Sequence, residues 1–136
     1  MELTVLGAGP AYTDRPGATG AAYLVRSPDG TLLVDLGQGS FPALASQLEP
    51  SRLGAVFISH LHPDHCLDLT GLYVTRRYRP GGPTPGRLPV HGPTGTADDS
   101  RLSPEPRLPH LRAPRQGIPQ RLVNQLKKLI RAAPNA

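Results

Sequence analysis

Tryptophan is absent from this chain of 136 residues, and aromatic residues make up only 4% of it. The single cysteine, Cys66, excludes an internal disulfide framework and indicates a reducing compartment, so we expect a cytoplasmic protein. No apolar run reaches the roughly 18 residues that a membrane span needs. The opening residues, MELTVLGAGP, lack the basic and apolar segments of a signal peptide. A chain of this length provides for one domain at most.

Charge and proline divide the chain into two parts. Residues 1–98 hold seven Lys and Arg against eight Asp and Glu, a net of −1, whereas residues 99–136 hold eight against two, a net of +6. Ten prolines fall between Pro80 and Pro119, and each fixes φ and removes a backbone donor. We therefore expect a folded domain over residues 1–98, followed by a basic, Pro/Arg-rich irregular tail with a short helix at 119–131.

Five β-rich runs lie in the folded part. They are ELTVL, GAAYLVRS, TLLVDLG, LGAVFIS and RLPVHGP, at residues 2–6, 20–27, 31–37, 53–59 and 87–93. Pro-Asp-Gly at 28–30 predicts a hairpin turn between the second and third runs. Helical spacing predicts one helix over 40–49, with Ser40 as its N-cap, and a second over 64–78. The inward positions predicted for the second helix are Leu67, Leu72 and Val74. This alternation predicts an α/β (α+β) layered fold.

Three of the five histidines fall within SHLHPDH, at the end of the fourth β-rich run. His60 and His62 are two residues apart, so in an extended chain their rings point the same way. Pro63 favours an extended His62, and a helix after it would turn Asp64 and His65 toward a second ion. Imidazole and carboxylate are ligands of zinc and related ions, and paired ions promote hydrolysis. We predict a metal site made of these four side chains.

The stretches LTVLGAG, LLVDLGQG and SHLHPDH resemble the metallo-β-lactamase-fold hydrolases, particularly their ribonuclease Z-like and cyclic-nucleotide phosphodiesterase branch. DHCLDLTGLYVTRRYRPGG and LPVHGPTGT are similar to the continuation in bacterial members. The resemblance covers residues 1–98 and implies the N-terminal part of an αββα sandwich. The implied activity is hydrolysis of a phosphodiester, with an anionic small molecule or RNA as substrate.

The same resemblance implies roles for individual residues. His60 and His62 would bind a first Zn²⁺, and Asp64 and His65 a second. Asp64 would also be catalytic, as a proton acceptor. Asp35, just after a strand, would have a structural role or would orient a metal ligand through a hydrogen bond.

The family also uses a third histidine on the first ion, an aspartate that bridges both ions and a last histidine on the second. The remaining candidates, none in a recognisable ligand context, are His91, Asp98, Asp99 and His110. The tail composition resembles a shifted reading frame in GC-rich DNA, so we hypothesise a truncated or frameshifted product. Two alternatives stay open: an inactive fragment that retains weak metal binding or folds only with a partner chain, and a module that binds nucleic acid through its basic tail. Half of a two-sheet sandwich would also leave one sheet face uncovered, so we expect self-association through that face.

Three further features have two readings each. Arg76, Arg77 and Arg79 could contact phosphate or form a solvated helix end. Cys66 is more consistent with a core position than with a metal ligand. GAGPAY lacks the third glycine of a dinucleotide-binding turn and favours a tight turn after a strand.

Overall fold

A computed structural model describes residues 1–96 of the chain. The strands are β1 (Glu2–Gly7), β2 (Ala22–Ser27), β3 (Gly30–Val34), β4 (Ala55–Phe57) and β5 (Val90–His91). The helices are α1 (Phe41–Gln47), α2 (Pro63–Cys66) and α3 (Leu69–Tyr78), with a short 3-10 turn at Pro50–Arg52. The predicted tail with its helix at 119–131, and the candidates Asp98, Asp99 and His110, lie outside the described residues. Within residues 1–96, no helix is long and apolar enough to span a bilayer.

The five strands form one mixed sheet in the order β1-β2-β3-β4-β5. The first three strands pair antiparallel, and the predicted hairpin is confirmed because Ser27 pairs with Gly30 across the turn. β3, β4 and β5 pair in parallel, which requires crossover connections. α1 forms the first crossover, and α2 and α3 form the second. The predicted α/β class is therefore confirmed.

The core lies between one face of the sheet and the helices. The register places Leu24, Leu33, Val56 and Val90 side by side across β2 to β5. All four belong to a cluster of buried residues that also contains Leu44 and others from the helices. Burying a leucine or valine stabilises the fold by about 1.5–3 kcal/mol per side chain. This row therefore holds the helical layer on the sheet.

The opposite face of the sheet is apolar at its β1 edge. Leu3 pairs with Val25 and Val5 with Tyr23, so these side chains share that face. Leu3 is 51% exposed and Val5 is 59% exposed. The predicted self-association through an uncovered face stays a prediction.

The start of α1 differs from the sequence prediction. Ser40 occupies the N-cap position, but its side chain makes no capping hydrogen bond. Its hydroxyl instead donates to the carbonyl oxygen of Gly37 at 2.6 Å. The backbone N–H of Phe41 donates to Oδ2 of Asp68 at 2.8 Å, so a carboxylate distant in sequence satisfies one of the helix's free donors.

The single helix predicted over 64–78 is wrong, because the chain forms α2 and α3 with a break at residues 67–68. The break changes which positions face the core. Leu72 is inward as predicted, with 1% exposure, but Leu67 is 41% exposed and Val74 is 52% exposed. Cys66 and Leu69 take the inward positions instead.

Candidate metal centre

The metal segment, residues 60–65, begins where the chain leaves β4. His60 and His62 lie in the connection, and Asp64 and His65 lie in α2. His62 has φ −75° and ψ 149°, the extended geometry that a following proline favours. The backbone N–H of Ile58 donates to the carbonyl oxygen of His91 at 2.7 Å, which holds the strand end in the sheet. The segment thus starts from a rigid point.

Donor atoms from His60, His62 and Asp64 all lie within 4.8 Å of one another. The rings of His60 and His62 are nearly perpendicular, at 80°, with their centroids 4.8 Å apart. Ligands of one tetrahedral zinc are about 3.3 Å apart, because each bond is about 2.0–2.1 Å long. The three donors therefore lie near the spacing of metal ligands.

Asp64 provides a test of whether a cation fits. Its Oδ1 atom is buried and has no hydrogen-bond partner among the described residues. A buried carboxylate oxygen without a partner is costly, by about 1–3 kcal/mol or more. A divalent cation would satisfy this oxygen, and two imidazoles with a carboxylate form a donor set that zinc accepts. The residues present fit a metal ion.

His65 contacts both Asp64 and Asp35. Its Nδ1 lies 2.8 Å from Oδ2 of Asp35, and its Nε2 lies 3.4 Å from Oδ2 of Asp64. An Nδ1–H donated to Asp35 leaves the Nε2 lone pair directed at the metal segment. The structure therefore brings all four predicted ligands together, and their division between two ions stays a prediction.

Asp35 is held in turn by Ser59. Its Oδ1 accepts from the backbone N–H of Ser59 at 2.7 Å, and its Oδ2 accepts from the Ser59 hydroxyl at 2.8 Å. Asp35 is 3% exposed. Among residues 1–96 it is the one residue other than glycine with positive φ, at 58°. Such a backbone costs about 1–2 kcal/mol, and strain of this kind accumulates at functional sites. This geometry fits the supporting part expected of Asp35.

Backbone hydrogen bonds tie α2 to the ends of β2 and β3. The N–H of Ala21 donates to the carbonyl oxygen of Asp64, and the N–H of Leu36 donates to that of His65, each at 2.7 Å. Both carbonyl groups belong to predicted ligands. The position of the ligands therefore depends on the loops that flank the sheet.

Two glycines allow the backbone of α2 to come this close to the ends of β2 and β3, and neither was predicted to be part of the site. A Cβ on Gly37 would overlap the Asp64 carbonyl oxygen, and one on Gly20 would lie 2.7 Å from the same atom. Each glycine is the end residue of a predicted β-rich run. That is the signal that could have identified them, since glycine marks close backbone approach.

The other candidates near the site have structural positions. His91 is 6% exposed in β5 and is not part of the donor group, and its burial lowers the pKa of the imidazole. Cys66 belongs to the core, as expected, and its thiol donates to the carbonyl oxygen of His62 at 3.3 Å.

A mixed sheet with helices on one face and a His/Asp cluster at a strand end defines an α/β protein with a candidate metal-binding site. The sequence model of the metallo-beta-lactamase superfamily matches residues 15–112. The chain belongs to this superfamily, whose members generally bind metal ions. The match continues past residue 98, so the expected domain boundary there stays a prediction.

Curated relatives agree with this family. An uncharacterized protein of Mycobacterium tuberculosis is 40% identical over 97 residues. The alignment covers 71% of this chain and 34% of the length of that protein. A ribonuclease Z of Mycolicibacterium paratuberculosis is 38% identical over 99 residues, covering 72% of this chain and 35% of its own. The chain thus spans about a third of the length of these relatives.

Solved structures show the same fold. The metallo-beta-lactamase fold protein YhfI from Bacillus subtilis has a TM-score of 0.64 and 27% identity, over 82% of this chain and 44% of that one. The short form of human tRNase Z has a TM-score of 0.64 and 31% identity, over 82% and 42%. The expectation that the chain forms the N-terminal part of this fold is confirmed.

Proposed function

We propose that this chain carries the metal-binding segment of a zinc-dependent phosphodiesterase of the ribonuclease Z type. The observation that supports it most is the convergence of donors from His60, His62 and Asp64 to within 4.8 Å. Relatives named ribonuclease Z and tRNase Z support the phosphodiester class of substrate. A chain that spans about a third of these relatives supplies only part of their fold.

Each residue of the site has a chemical role in this proposal. His60 and His62 hold one zinc ion, and Asp64 and His65 hold a second. A bound divalent ion supplies Lewis-acid stabilisation of charge on the phosphate oxygens. Asp64 also accepts a proton from the attacking water, because an ionised carboxylate can act as a general base. Asp35 orients the His65 ring through the 2.8 Å contact with Nδ1.

Metal content and hydrolysis, measured on the same preparations, test the proposal. We expect bound zinc and turnover of a bis-aryl phosphodiester. His62→Ala removes an exposed ligand and should abolish turnover without unfolding the chain. Asp64→Asn should also abolish it, whereas the matched Asp14→Asn changes an exposed carboxylate outside the site and should not. Comparing RNA with a cyclic nucleotide then distinguishes the two substrate classes.

A second candidate is a metal-binding chain without hydrolytic activity of its own. This candidate is favoured because, among residues 1–96, all of the donor side chains come from the metal segment. A catalytic zinc normally has three protein ligands, so four ligands leave two ions incompletely held. Zinc binding that is lost in His62→Ala, with no turnover in any variant, would support this candidate over the enzyme.

A further inference from the structure

A second concave site lies beside α3, on residues that the metal chemistry does not use. One stripe of the helix, with Leu69, Leu72 and Arg76 among its residues, faces residues 83–88. The space between them has a volume of about 440 Å³. Ligand pockets for small molecules typically measure about 300–1,000 Å³. We call this space, between α3 and residues 83–88, the arginine cleft.

The floor of the cleft is apolar and fixed. Leu69, Leu72 and Leu88 are 5%, 1% and 3% exposed and belong to the core. Tyr73 adds an aromatic side chain. The backbone N–H of Thr84 donates to the Arg76 carbonyl oxygen at 2.8 Å, which ties the loop to the helix. This floor can hold the apolar body of a ligand.

The rim of the cleft is cationic. Arg76, Arg77 and Arg87 line it, and among residues 1–96 no carboxylate lies within ion-pair distance of any of them. Arg79 differs, because its Nη1 lies 3.7 Å from Oε1 of Glu49. Arg76 spends one nitrogen on the carbonyl oxygens of residues 50 and 51, and Arg77 and Arg87 are exposed. Three guanidinium groups without a counter-charge suit a dianion.

Thr84 provides an independent observation. Its Oγ1 atom is buried and has no hydrogen-bond partner among the described residues. A buried hydroxyl without a partner destabilises the folded state. A ligand with acceptor oxygens would satisfy it.

We propose that the arginine cleft binds a small phosphate monoester with an aromatic or aliphatic body. The body lies on the leucine floor. The phosphate meets Arg77 and Arg87, whose guanidinium groups match phosphate oxygens in pairs, and it accepts a hydrogen bond from Thr84. The site does not depend on the metal centre or on phosphodiester hydrolysis.

The probe for this site is 1-naphthyl phosphate, titrated into the ¹⁵N-labelled chain in the presence of a chelator. Inorganic phosphate and 1-naphthol, which correspond to the charged and the apolar part of the probe, are titrated as controls. We expect the ester to bind at least about tenfold more tightly than either half, because apolar and charged contacts act together. Amide shifts should be confined to α3 and residues 83–88, and His62→Ala should bind the ester equally well.

Variants identify the contacts. Arg87→Gln should weaken binding about tenfold, the effect of losing one hydrogen bond to a charged group. Arg15→Gln is the matched control, since Arg15 is exposed and does not line the cleft. Thr84→Val should weaken binding without lowering Tm, because its hydroxyl has no partner to lose.

Several outcomes would overturn the proposal. Equal binding of inorganic phosphate would mean an adventitious ion only, and equal binding of 1-naphthol would mean an apolar surface only. Shifts confined to the metal segment would place the ligand elsewhere. Absence of binding, or full affinity in Arg87→Gln, would also refute it.

Discussion

Gly37 has no room for a side chain, and its replacement by alanine tests how the metal segment is positioned. A Cβ at this position would overlap the carbonyl oxygen of Asp64 and lie 2.8 Å from Cα of Gly20. Real Cβ atoms essentially never come within 3.0 Å of such neighbours. Both neighbours are backbone, so neither can move aside as the end of a flexible side chain would. In Gly37→Ala, α2 must therefore shift away from the strand ends.

The size of the effect follows from what the shift breaks. Overpacking costs about 1–3 kcal/mol. The hydrogen bonds to the carbonyl oxygens of Asp64 and His65, each 2.7 Å long, are lost or weakened, at about 0.5–1.5 kcal/mol apiece. Together these terms lower the free energy of unfolding by about 2–6 kcal/mol. Because α2 carries two of the predicted ligands, we also expect zinc affinity to fall about 10–100-fold, as when groups supporting a metal site are removed.

The assay combines denaturant unfolding with competitive zinc titration against a chromophoric chelator. Gly17→Ala is the control, because Gly17 has φ 76° and nothing within 4 Å of its added Cβ. It tests backbone strain alone and should lower the free energy of unfolding by about 1–2 kcal/mol with unchanged zinc affinity. A Gly37→Ala protein with the stability and zinc affinity of the parent chain would refute the proposed tie between the strand ends and the ligands.

Three further predictions concern Asp35, the core and His91. Asp35→Asn keeps the side-chain size but removes the carboxylate that accepts a hydrogen bond from His65. Zinc affinity, measured by the same titration, should therefore fall about 10–100-fold. Unchanged affinity would show that Asp35 does not orient His65 for metal binding. Leu33→Ala should lower the free energy of unfolding by about 2–5 kcal/mol, because Leu33 is 0% exposed. Leu3 is 51% exposed, so Leu3→Ala should lower it by less than about 1 kcal/mol. Equal losses in the two variants, measured by denaturant unfolding, would contradict the assignment of the core face. Burial lowers the pKa of His91 from 6.5, so the neutral imidazole is favoured in the folded state and stability is lost as pH falls below 6.5. The difference in Tm between about pH 7.5 and pH 5.5, measured in the presence of a chelator, should therefore be smaller in His91→Gln than in the parent chain. An unchanged difference would show that His91 is not the source of the pH dependence.

Local patterns were sufficient for the strands and for the metal segment. The hairpin at residues 28–30 follows from turn chemistry that acts within a few residues. The extended His62 follows from contact with the next residue, Pro63. The four predicted ligands lie within six residues of one another in sequence, so the backbone alone brings them close.

Features that depend on distant residues were not predicted. The break between α2 and α3 coincides with Asp68, whose carboxylate accepts from the N–H of Phe41, 27 residues away in the sequence. Helical periodicity cannot register such a bond. For this reason the inward positions predicted at Leu67 and Val74, and the capping role predicted for Ser40, differ from the structure.

The sequence by itself determined that this is an α/β chain with an imidazole–carboxylate cluster after a strand, because those properties arise from neighbours along the backbone. The tertiary structure decided how that cluster is held and what else the surface offers. Only folding brings Asp35 to His65, places Gly37 against Asp64, and gathers Arg77 and Arg87 around a single cleft. Asp35 and Gly37 lie far from their partners in sequence, and the packing of the helices on the sheet determines which residues meet.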